Sequence, residues 1–300
     1  MNNIFYEQLK EIVGELNVKT DEPMKGHITF KVGGPADYYI LPENSKQLAH
    51  IVKLCKKNDV PYYIIGNGSN LIVKDEGYRG VIIEIGANMA EIEVEDNVVT
   101  AGAGAILSKI AAKALDNSLT GMEFAHGIPG TLGGAVTMNA GAYGGEMKDI
   151  LVKVQVLNDD GEVITLPAEE LHLGYRYSVV PEKRYIVLSA TMKLEHGDKE
   201  EIKSYMAELS LKRREKQPLE YPSAGSTFKR PEGYFAGKLI QDAGLKGYSV
   251  GGAMVSEKHS GFVINYDNAT AQDILTLIDN VREKVYEQFG VELETEVKVL

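Results

Sequence analysis

The fold of this chain is decided by residues 126–146, HGIPGTLGGAVTMNAGAYGGE, together with the shorter GNGSN at residues 66–70. The stretch from residue 121 to residue 145 holds eight glycines in 25 positions and almost no charge. A glycine-rich segment of this length is uncommon inside a compact domain unless it has a function. Glycines let the backbone approach a ligand closely, so this composition favours ligand contact over packing of helix against sheet.

Both segments offer positions at which backbone and short polar side chains can meet an anionic group. GNGSN lies between two apolar stretches, where glycines turn backbone amides toward an anion, a geometry that suits a pyrophosphate. An ordinary glycine-rich hairpin explains this short loop as well, and it is not a GxGxxG turn that opens a helix. If the two segments grip one extended cofactor, the candidate contacts are Gly66, Asn67, Gly68, Ser69 and Asn70 in the first, and Gly130, Thr131, Gly133, Gly134 and Asn139 in the second.

Length and charge limit the classes of function. The chain has 300 residues, of which 44% are apolar and 25% charged. This length exceeds the usual size of a single core, so two or three packed units are expected. The net charge of −11 repels polyanions, so a nucleic-acid partner is not expected. Local cations and backbone amides still allow a small anionic substrate.

No motif for a metal, a disulfide, export or a membrane span is present. Cys55 is the single cysteine and lies in apolar helical spacing, which predicts a core residue. The six histidines form no HxxxH pair, so no metal site is expected. The first residues carry acids and no long apolar run, and no stretch reaches the roughly 20 apolar residues that span a bilayer. The expected location is the cytoplasm, without a membrane partner.

Apolar spacing predicts helices and strands throughout the chain, without an internal repeat. Helices are predicted at residues 1–16, 45–58, 107–117, 199–216, 233–243 and 271–289, with Ser45 as the cap of the second. Strands are predicted at ADYYIL, VPYYII, LIV, VIIEI, IEV, VVTAG, LVKVQVL, EVITL, YIVLSATMKL, YSVGGAMV, GFVIN and VELETEVKVL. Pro218 ends the fourth helix, and the turn-rich QPLEYPSAGS indicates a domain boundary there.

The glycine segments and several further strings resemble the bacterial UDP-N-acetylenolpyruvoylglucosamine reductase family. HITFKVGGPAD, GYRYS, PSAGSTFKRP, AGLKGYSVGGAMVSEKHSGFVIN and LETEV follow in the family's order, so the resemblance covers nearly the whole chain. It implies an α+β fold: a two-lobed FAD-binding domain of the vanillyl-alcohol-oxidase type at residues 1–195, then a smaller α/β substrate-binding domain at residues 196–300. The short interval from Arg176 to Ser226 resembles the compact subtype, which lacks an inserted substrate-capping segment.

The resemblance also implies a reaction and its residues. NADPH reduces non-covalently bound FAD, and a hydride then passes to the vinyl carbon of UDP-N-acetylglucosamine enolpyruvate, giving UDP-N-acetylmuramate for peptidoglycan. Arg176 suits the developing enolate because its charged planar fork grips a carboxylate. Glu296 is expected to polarise the same carboxylate, which requires a buried, protonated side chain. Ser226 is assigned as the proton donor to the adjacent carbon.

Other positive side chains are candidates for the substrate's diphosphate. Lys229 and Arg230 follow Ser226 closely, although the family often has asparagine where Arg230 stands, and Asn265 is a further candidate. Arg213 and Arg214 are predicted to lie on a solvated helix face. Without the resemblance, Arg176 reads as a surface ion-pair partner, Ser226 as a turn or cap residue, and Glu296 as a solvated strand residue.

Two other functions remain open on sequence grounds. An FAD-dependent oxidase of the same fold predicts oxygen consumption and a covalent flavin, for which His126 is the suggestive residue. A flavin-binding protein without turnover needs none of Arg176, Ser226 and Glu296 in the roles assigned to them. Their joint presence favours the reductase, with a UDP-sugar as its small-molecule partner.

Overall fold

The computed structural model describes residues 3–300, which form α-helices and β-strands. The α-helices are α1 Asn3–Val13, α2 Ser45–Lys57, α3 Leu107–Asp116, α4 Leu132–Thr137, α5 Lys199–Lys216, α6 Ala236–Asp242 and α7 Ala271–Phe289. The strands are β1 Val18–Pro23, β2 Pro35–Ile40, β3 Tyr62–Ile65, β4 Leu71–Ile72, β5 Tyr78–Glu84, β6 Ile92–Glu95, β7 Val98–Gly102, β8 Leu119–Thr120, β9 Gly141–Ala142, β10 Gly145–Glu146, β11 Leu151–Leu157, β12 Val163–Pro167, β13 Ile186–Lys193, β14 Glu195–His196, β15 Ser249–Val250, β16 Ala253–Val255, β17 Val263–Asn265 and β18 Lys298–Val299.

The strands assemble into three larger sheets and three pairs. A four-stranded sheet has the order β1-β2-β5-β3, with β3 and β5 parallel. A five-stranded sheet has the order β12-β11-β13-β7-β6, and its neighbours are antiparallel. The third sheet is β15-β16-β17, and the pairs are β9-β10, β8-β14 and β4-β18. Helices therefore accompany sheets that contain both parallel and antiparallel strand pairs, which is an α+β architecture.

Helix α2 shows how the apolar spacing produces the core. Leu48, Ile51 and Cys55 repeat at intervals of three and four and are completely buried. Burial raises the pKa of the Cys55 thiol to about 12, so the predicted core role is confirmed and the group stays a thiol at neutral pH. The cap is Asn44 rather than the predicted Ser45, since the Asn44 side chain accepts hydrogen bonds from two amides of the first turn.

Helix α1 buries one apolar stripe and ends before the predicted residue 16. Phe5, Leu9 and Val13 are buried, whereas Ile4 is 72% and Leu16 93% exposed. The helix ends at Val13, so Leu16 lies beyond the turn that faces the core. The predicted helix begins at residue 1, and its first two residues lie outside the described part of the chain.

The described residues divide into two compact units that interleave along the chain. Within the described residues, the first unit comprises residues 3–20, 37–67 and 80–211, and the second comprises residues 21–36, 68–79 and 212–300. The predicted domain boundary between residues 195 and 196 stays a prediction, since these units are not two consecutive segments. Within residues 3–300, no helix combines the length and the apolar character needed to cross a membrane.

Further local predictions are wrong, among them the single strand predicted at YSVGGAMV, which is two antiparallel strands, β15 and β16. Residues 126–146, where no helix or strand is predicted, contain helix α4 and a β9-β10 hairpin. Tyr143 and Gly144 both have positive φ in the two-residue turn of that hairpin, as its twist requires. The last ten residues form only the short strand β18 rather than one long strand. Arg213 is 8% exposed rather than solvated, whereas Arg214 is exposed as predicted.

Candidate active site

In the first unit, the start of the long glycine segment is bonded to the chain that follows β7. Leu132 N donates to Ala105 O at 2.8 Å, and Gly133 N donates to Ala103 O at 2.8 Å. The carbonyl of Gly130 accepts from the amide of Leu107 at 3.0 Å. The first two amides of α4 are therefore already bonded, so an anion cannot use these two as it uses a free helix N-terminus.

The structure brings the two glycine segments together, as predicted for a shared ligand. The Asn67 side-chain amide donates to the carbonyl of Pro129 at 2.6 Å. A Cβ added at Gly66 would overlap the side chain of Thr131. Thr131 itself is only 5% exposed. Gly66 is thus required by the contact between the two segments.

Gly133 and Gly134 differ in what surrounds them. A Cβ at Gly133 would lie 3.0 Å from the Cβ of Ala103, so this glycine allows α4 to pack closely on the segment that follows β7. A Cβ at Gly134 would meet only the Thr131 hydroxyl, at 3.9 Å, and Gly134 is exposed. The space beside Gly134 is therefore open. Open backbone of this kind lets a ligand approach closely, which fits the diphosphate of FAD.

Asn139 has a role inside the protein. It is completely buried, and both hydrogens of its side-chain amide are used: one bonds Glu146 Oε2 at 2.6 Å and the other bonds the carbonyl of Gly174 at 3.0 Å. Its Oδ1 accepts from the amide of Lys148 at 2.9 Å. The predicted contact between Asn139 and the cofactor stays a prediction.

Arg176 lies in a tight turn held against the glycine segment. The amide of Tyr177 donates to the carbonyl of Gly174 at 3.2 Å and closes the turn. Arg176 has φ +54°, in the left-handed region that non-glycine residues rarely adopt. Its Nη2 lies 3.5 Å from the carbonyl oxygen of Gly141, and its guanidinium lies over the Tyr175 ring at 5.2 Å.

In the second unit, Ser226 lies on a segment fixed from both sides by backbone hydrogen bonds. The neighbouring residue Thr227 donates its amide to Gly261 O at 2.9 Å, and its hydroxyl accepts from the amide of Val263 at 3.0 Å. On the other side, the carbonyl of Thr227 accepts from the amide of Glu296 at 2.8 Å. The structure thus places Glu296 opposite the residue next to Ser226.

Glu296 is not a solvated strand residue, because only 9% of its surface is exposed. The side chain of Asn70 donates to the carbonyl of Glu296 at 3.2 Å. The amide of Lys298 donates to the carbonyl of Asn70 at 3.0 Å. The chain passes from the first unit to the second between Asn67 and Gly68. The second half of the short glycine loop, residues 68–70, therefore supports the Glu296 segment.

The three predicted substrate contacts, Lys229, Arg230 and Asn265, differ in their neighbours and their burial in the second unit. Lys229 forms an ion pair with Glu294, and the Arg230 guanidinium lies 4.5 Å from the centre of the Phe235 ring. Asn265 is 9% exposed, and its side chain donates to Phe30 O and accepts from Ala269 N. Asn265 lies in the wall of a cavity of about 410 Å³. Its predicted substrate contact stays a prediction.

Two histidines near these segments are partly buried. The Nδ1 of His126 is buried without a hydrogen-bond partner among residues 3–300, and it lies where the long glycine segment begins. Burial lowers the pKa of His259, so that side chain is neutral at pH 7. Gly261 N donates to its Nδ1 at 3.1 Å. Within the same residues, no group of three His, Cys, Asp or Glu side chains is arranged to hold a metal ion.

Three residues that the sequence did not single out contribute to these arrangements. Ser178, 2% exposed, donates to the carbonyl of Thr137 at 2.6 Å and ties the Arg176 turn to the end of α4. Thr227 fixes the Ser226 segment, and Phe235 exposes a ring under Arg230. Ser178 and Thr227 lie inside the strings GYRYS and PSAGSTFKRP. Their positions close to Arg176 and Ser226 in the sequence could therefore have pointed to them.

Comparison with known proteins agrees with this description. Residues 36–167 match a family model described as an FAD binding domain, and residues 217–300 match the UDP-N-acetylenolpyruvoylglucosamine reductase C-terminal domain. A UDP-N-acetylenolpyruvoylglucosamine reductase of Agathobacter rectalis is 59% identical over 312 residues, covering 100% of this chain and 99% of that protein.

Solved structures show the same relationship. The crystal structure of UDP-N-acetylenolpyruvylglucosamine reductase from Thermus caldophilus has a TM-score of 0.80 and 38% identity, covering 92% of this chain and 97% of that chain. The glucose dehydrogenase Phl p 4.0202 has a TM-score of 0.53 and 15% identity, covering 66% of this chain and 45% of that chain, and shares the fold alone.

The two matched domains and the paired glycine segments define an FAD-dependent oxidoreductase. The predicted fold class, an FAD-binding domain followed by a smaller domain, is confirmed. Identity of 59% over the whole chain places it in the UDP-N-acetylenolpyruvoylglucosamine reductase family, with the reductase activity of that family.

Proposed function

We propose that this enzyme reduces UDP-N-acetylglucosamine enolpyruvate to UDP-N-acetylmuramate in peptidoglycan precursor synthesis, with NADPH as reductant and FAD bound non-covalently. Full-length identity to a reductase of that name supports the substrate class. The observation that carries the mechanism is the burial of Glu296 opposite the residue next to Ser226. Burial and fixed backbone position are what an acid and a polarising group require.

When bound, FAD would supply the redox chemistry, the transfer of a hydride from NADPH to the terminal vinyl carbon of the substrate. The chain must then hold the charge that develops on the adjacent carbon and carboxylate, and it must deliver a proton to that carbon. A preorganised donor at a developing oxyanion contributes about 10² to 10³ in rate. A positioned general acid contributes about 10² to 10⁴.

Arg176 and Glu296 are the proposed partners of the substrate carboxylate. The planar guanidinium can bind both carboxylate oxygens. Its left-handed backbone conformation costs about 1–2 kcal/mol, which is tolerated where the surroundings enforce it. Glu296 acts in its protonated form, donating a hydrogen bond to the same carboxylate. Only 9% of its surface is exposed, so its surroundings hold the side chain away from bulk solvent.

Ser226 is the proposed donor of the proton to carbon. A serine hydroxyl is a weak acid, so the role depends on enforced proximity and on a route that restores its proton. The hydrogen bonds of Thr227 to Gly261, Val263 and Glu296 support the enforced position. Lys229 and Arg230 are proposed to bind the diphosphate, which requires Lys229 to exchange Glu294 for a phosphate oxygen.

The test is the absorbance of the purified protein, followed anaerobically during addition of NADPH and then of UDP-N-acetylglucosamine enolpyruvate. Bleaching by NADPH and recovery with this substrate supports the proposal. Recovery with oxygen alone points to an oxidase. Colour that stays with the protein after acid precipitation contradicts non-covalent binding and directs attention to His126.

For the cofactor, we propose that its diphosphate lies against Thr131 and Gly134. The change Gly134→Ala tests this. Because alanine favours a helix over glycine and its Cβ enters open space, the apoprotein keeps its melting temperature or gains slightly. The same methyl group occupies the ligand's approach, so the dissociation constant for FAD rises about tenfold, or ~1.4 kcal/mol. Fluorescence titration of apoprotein with FAD measures it.

Gly26→Ala is the matched control, because its added Cβ likewise enters open space and meets nothing within 4 Å, whereas that of Gly134 meets one atom at 3.9 Å. It should leave the affinity for FAD unchanged. Unaltered affinity in Gly134→Ala would place the diphosphate elsewhere. Gly133→Ala should behave differently from both, since its Cβ lies only 3.0 Å from the Ala103 Cβ, and we expect the melting temperature to fall because the backbone of Ala103 is hydrogen-bonded in place.

A further inference from the structure

We infer that Asn139 is a positioning residue, which holds the turn that carries Arg176 against the end of helix α4. This inference rests on the proposed function only for its catalytic consequence. Asn139 was expected to contact the cofactor, yet it is completely buried and both of its amide hydrogens are bonded to protein oxygens. Its side chain therefore acts on the protein around it.

The key acceptor is the carbonyl of Gly174. This oxygen accepts the bond from Tyr177 N, at 3.2 Å, that closes the turn, and it also accepts from Asn139 Nδ2 at 3.0 Å. Arg176 occupies the strained third position of this same turn, with φ +54°. One carbonyl thus links the turn to the glycine segment, and the link opposes relaxation of the Arg176 backbone.

The rest of the Asn139 environment fixes the direction of its amide. Glu146 Oε2 accepts the second amide hydrogen at 2.6 Å, and Lys148 N donates to Oδ1 at 2.9 Å. Asn139 itself has φ +45°, a conformation that asparagine tolerates better than most residues. Both amide hydrogens and the amide oxygen of the side chain are hydrogen-bonded, so rotation away from Gly174 would leave buried polar groups unpaired.

A second hydrogen bond holds the other end of the same turn. Ser178 Oγ donates to the carbonyl of Thr137 at 2.6 Å, and Ser178 is 2% exposed. Thr137 is the last residue of α4, and Asn139 lies two residues after it. Both ends of the turn are therefore bonded to one short stretch of chain. This stretch also contains Gly141, whose carbonyl lies 3.5 Å from Arg176 Nη2.

The experiment compares the FAD-loaded wild type with Asn139→Gly, which keeps the left-handed backbone accessible and removes the side chain. Amide hydrogen exchange of residues 172–178 should accelerate about three- to tenfold, as expected for loss of one buried hydrogen bond. Reoxidation of the reduced flavin by the enolpyruvyl substrate should slow at least about tenfold. The dissociation constant for FAD should stay within about twofold.

Asn97→Ala is the matched control, since Asn97 also donates a side-chain bond to a distant backbone carbonyl, that of Leu194 at 3.0 Å. It should alter neither the exchange of residues 172–178 nor the substrate half-reaction. If Asn139→Gly does not fold, Ser178→Ala supplies the second variant and should accelerate the same exchange.

Two results overturn the inference. Unchanged exchange of residues 172–178 in both variants means that the turn does not depend on these bonds. A tenfold weaker affinity for FAD without faster exchange would mean that Asn139 contacts the cofactor rather than the turn. Failure of the proposed function is distinguishable, because a wild-type protein that does not reduce the enolpyruvyl substrate would still show the exchange difference.

Discussion

Replacing Ser226 with alanine should slow reoxidation of the reduced flavin by the enolpyruvyl substrate by about 10² to 10⁴, the range for loss of a general acid. Binding of FAD and its reduction by NADPH should remain at wild-type levels. The fold should tolerate the change, because the bonds that hold this segment come from the backbone and from Thr227. Anaerobic stopped-flow absorbance separates the two half-reactions.

Ser223→Ala is the control for Ser226→Ala. Ser223 belongs to the same PSAGSTFKRP string and is also half-buried, and its carbonyl rather than its hydroxyl accepts the bond from Thr29 at 2.6 Å. Both half-reactions should be unchanged in this variant. A wild-type reoxidation rate in Ser226→Ala would remove Ser226 from the mechanism as the acid.

Replacing Arg176 with lysine should slow the same half-reaction by about 10² to 10³, the range for loss of a preorganised oxyanion donor. Lysine keeps the charge but cannot present the planar pair of donors that a carboxylate binds. The apparent affinity for the substrate should fall as well, while reduction by NADPH stays close to the wild-type rate. Stopped-flow measurements over a range of substrate concentrations separate affinity from rate.

Arg184→Lys controls for backbone strain. Arg184 has φ +52°, close to the +54° of Arg176, so both substitutions place lysine in the left-handed region. Arg184 is exposed and lies near Asp159, and it has no proposed role in the reaction. If both variants lose the substrate half-reaction equally, strain in the turns explains the loss and the carboxylate role of Arg176 is contradicted.

Local pattern was enough for much of the fold. The six predicted helices are all present, and α5 and α7 have the predicted bounds. These elements depend on apolar spacing within one contiguous segment, which a sequence displays directly. Helix α4 was missed because two of its six residues are glycines, which disfavour a helix. Its backbone bonds to Ala103 and Ala105 compensate, and those partners lie far from it in sequence.

The candidate site also combines features that the sequence displays with features that arise only from packing. The sequence by itself determined the family, because the strings that led to it are properties of adjacent residues, and the same strings supply the proposed site residues. Only the tertiary structure decided that Gly133 packs on Ala103 while Gly134 faces open space. It also decided that Glu296 and Arg213 are buried, and that Asn139 bonds a carbonyl 35 residues away. Burial and hydrogen-bond partners arise from contacts between distant segments, and such contacts exist only once the chain has packed.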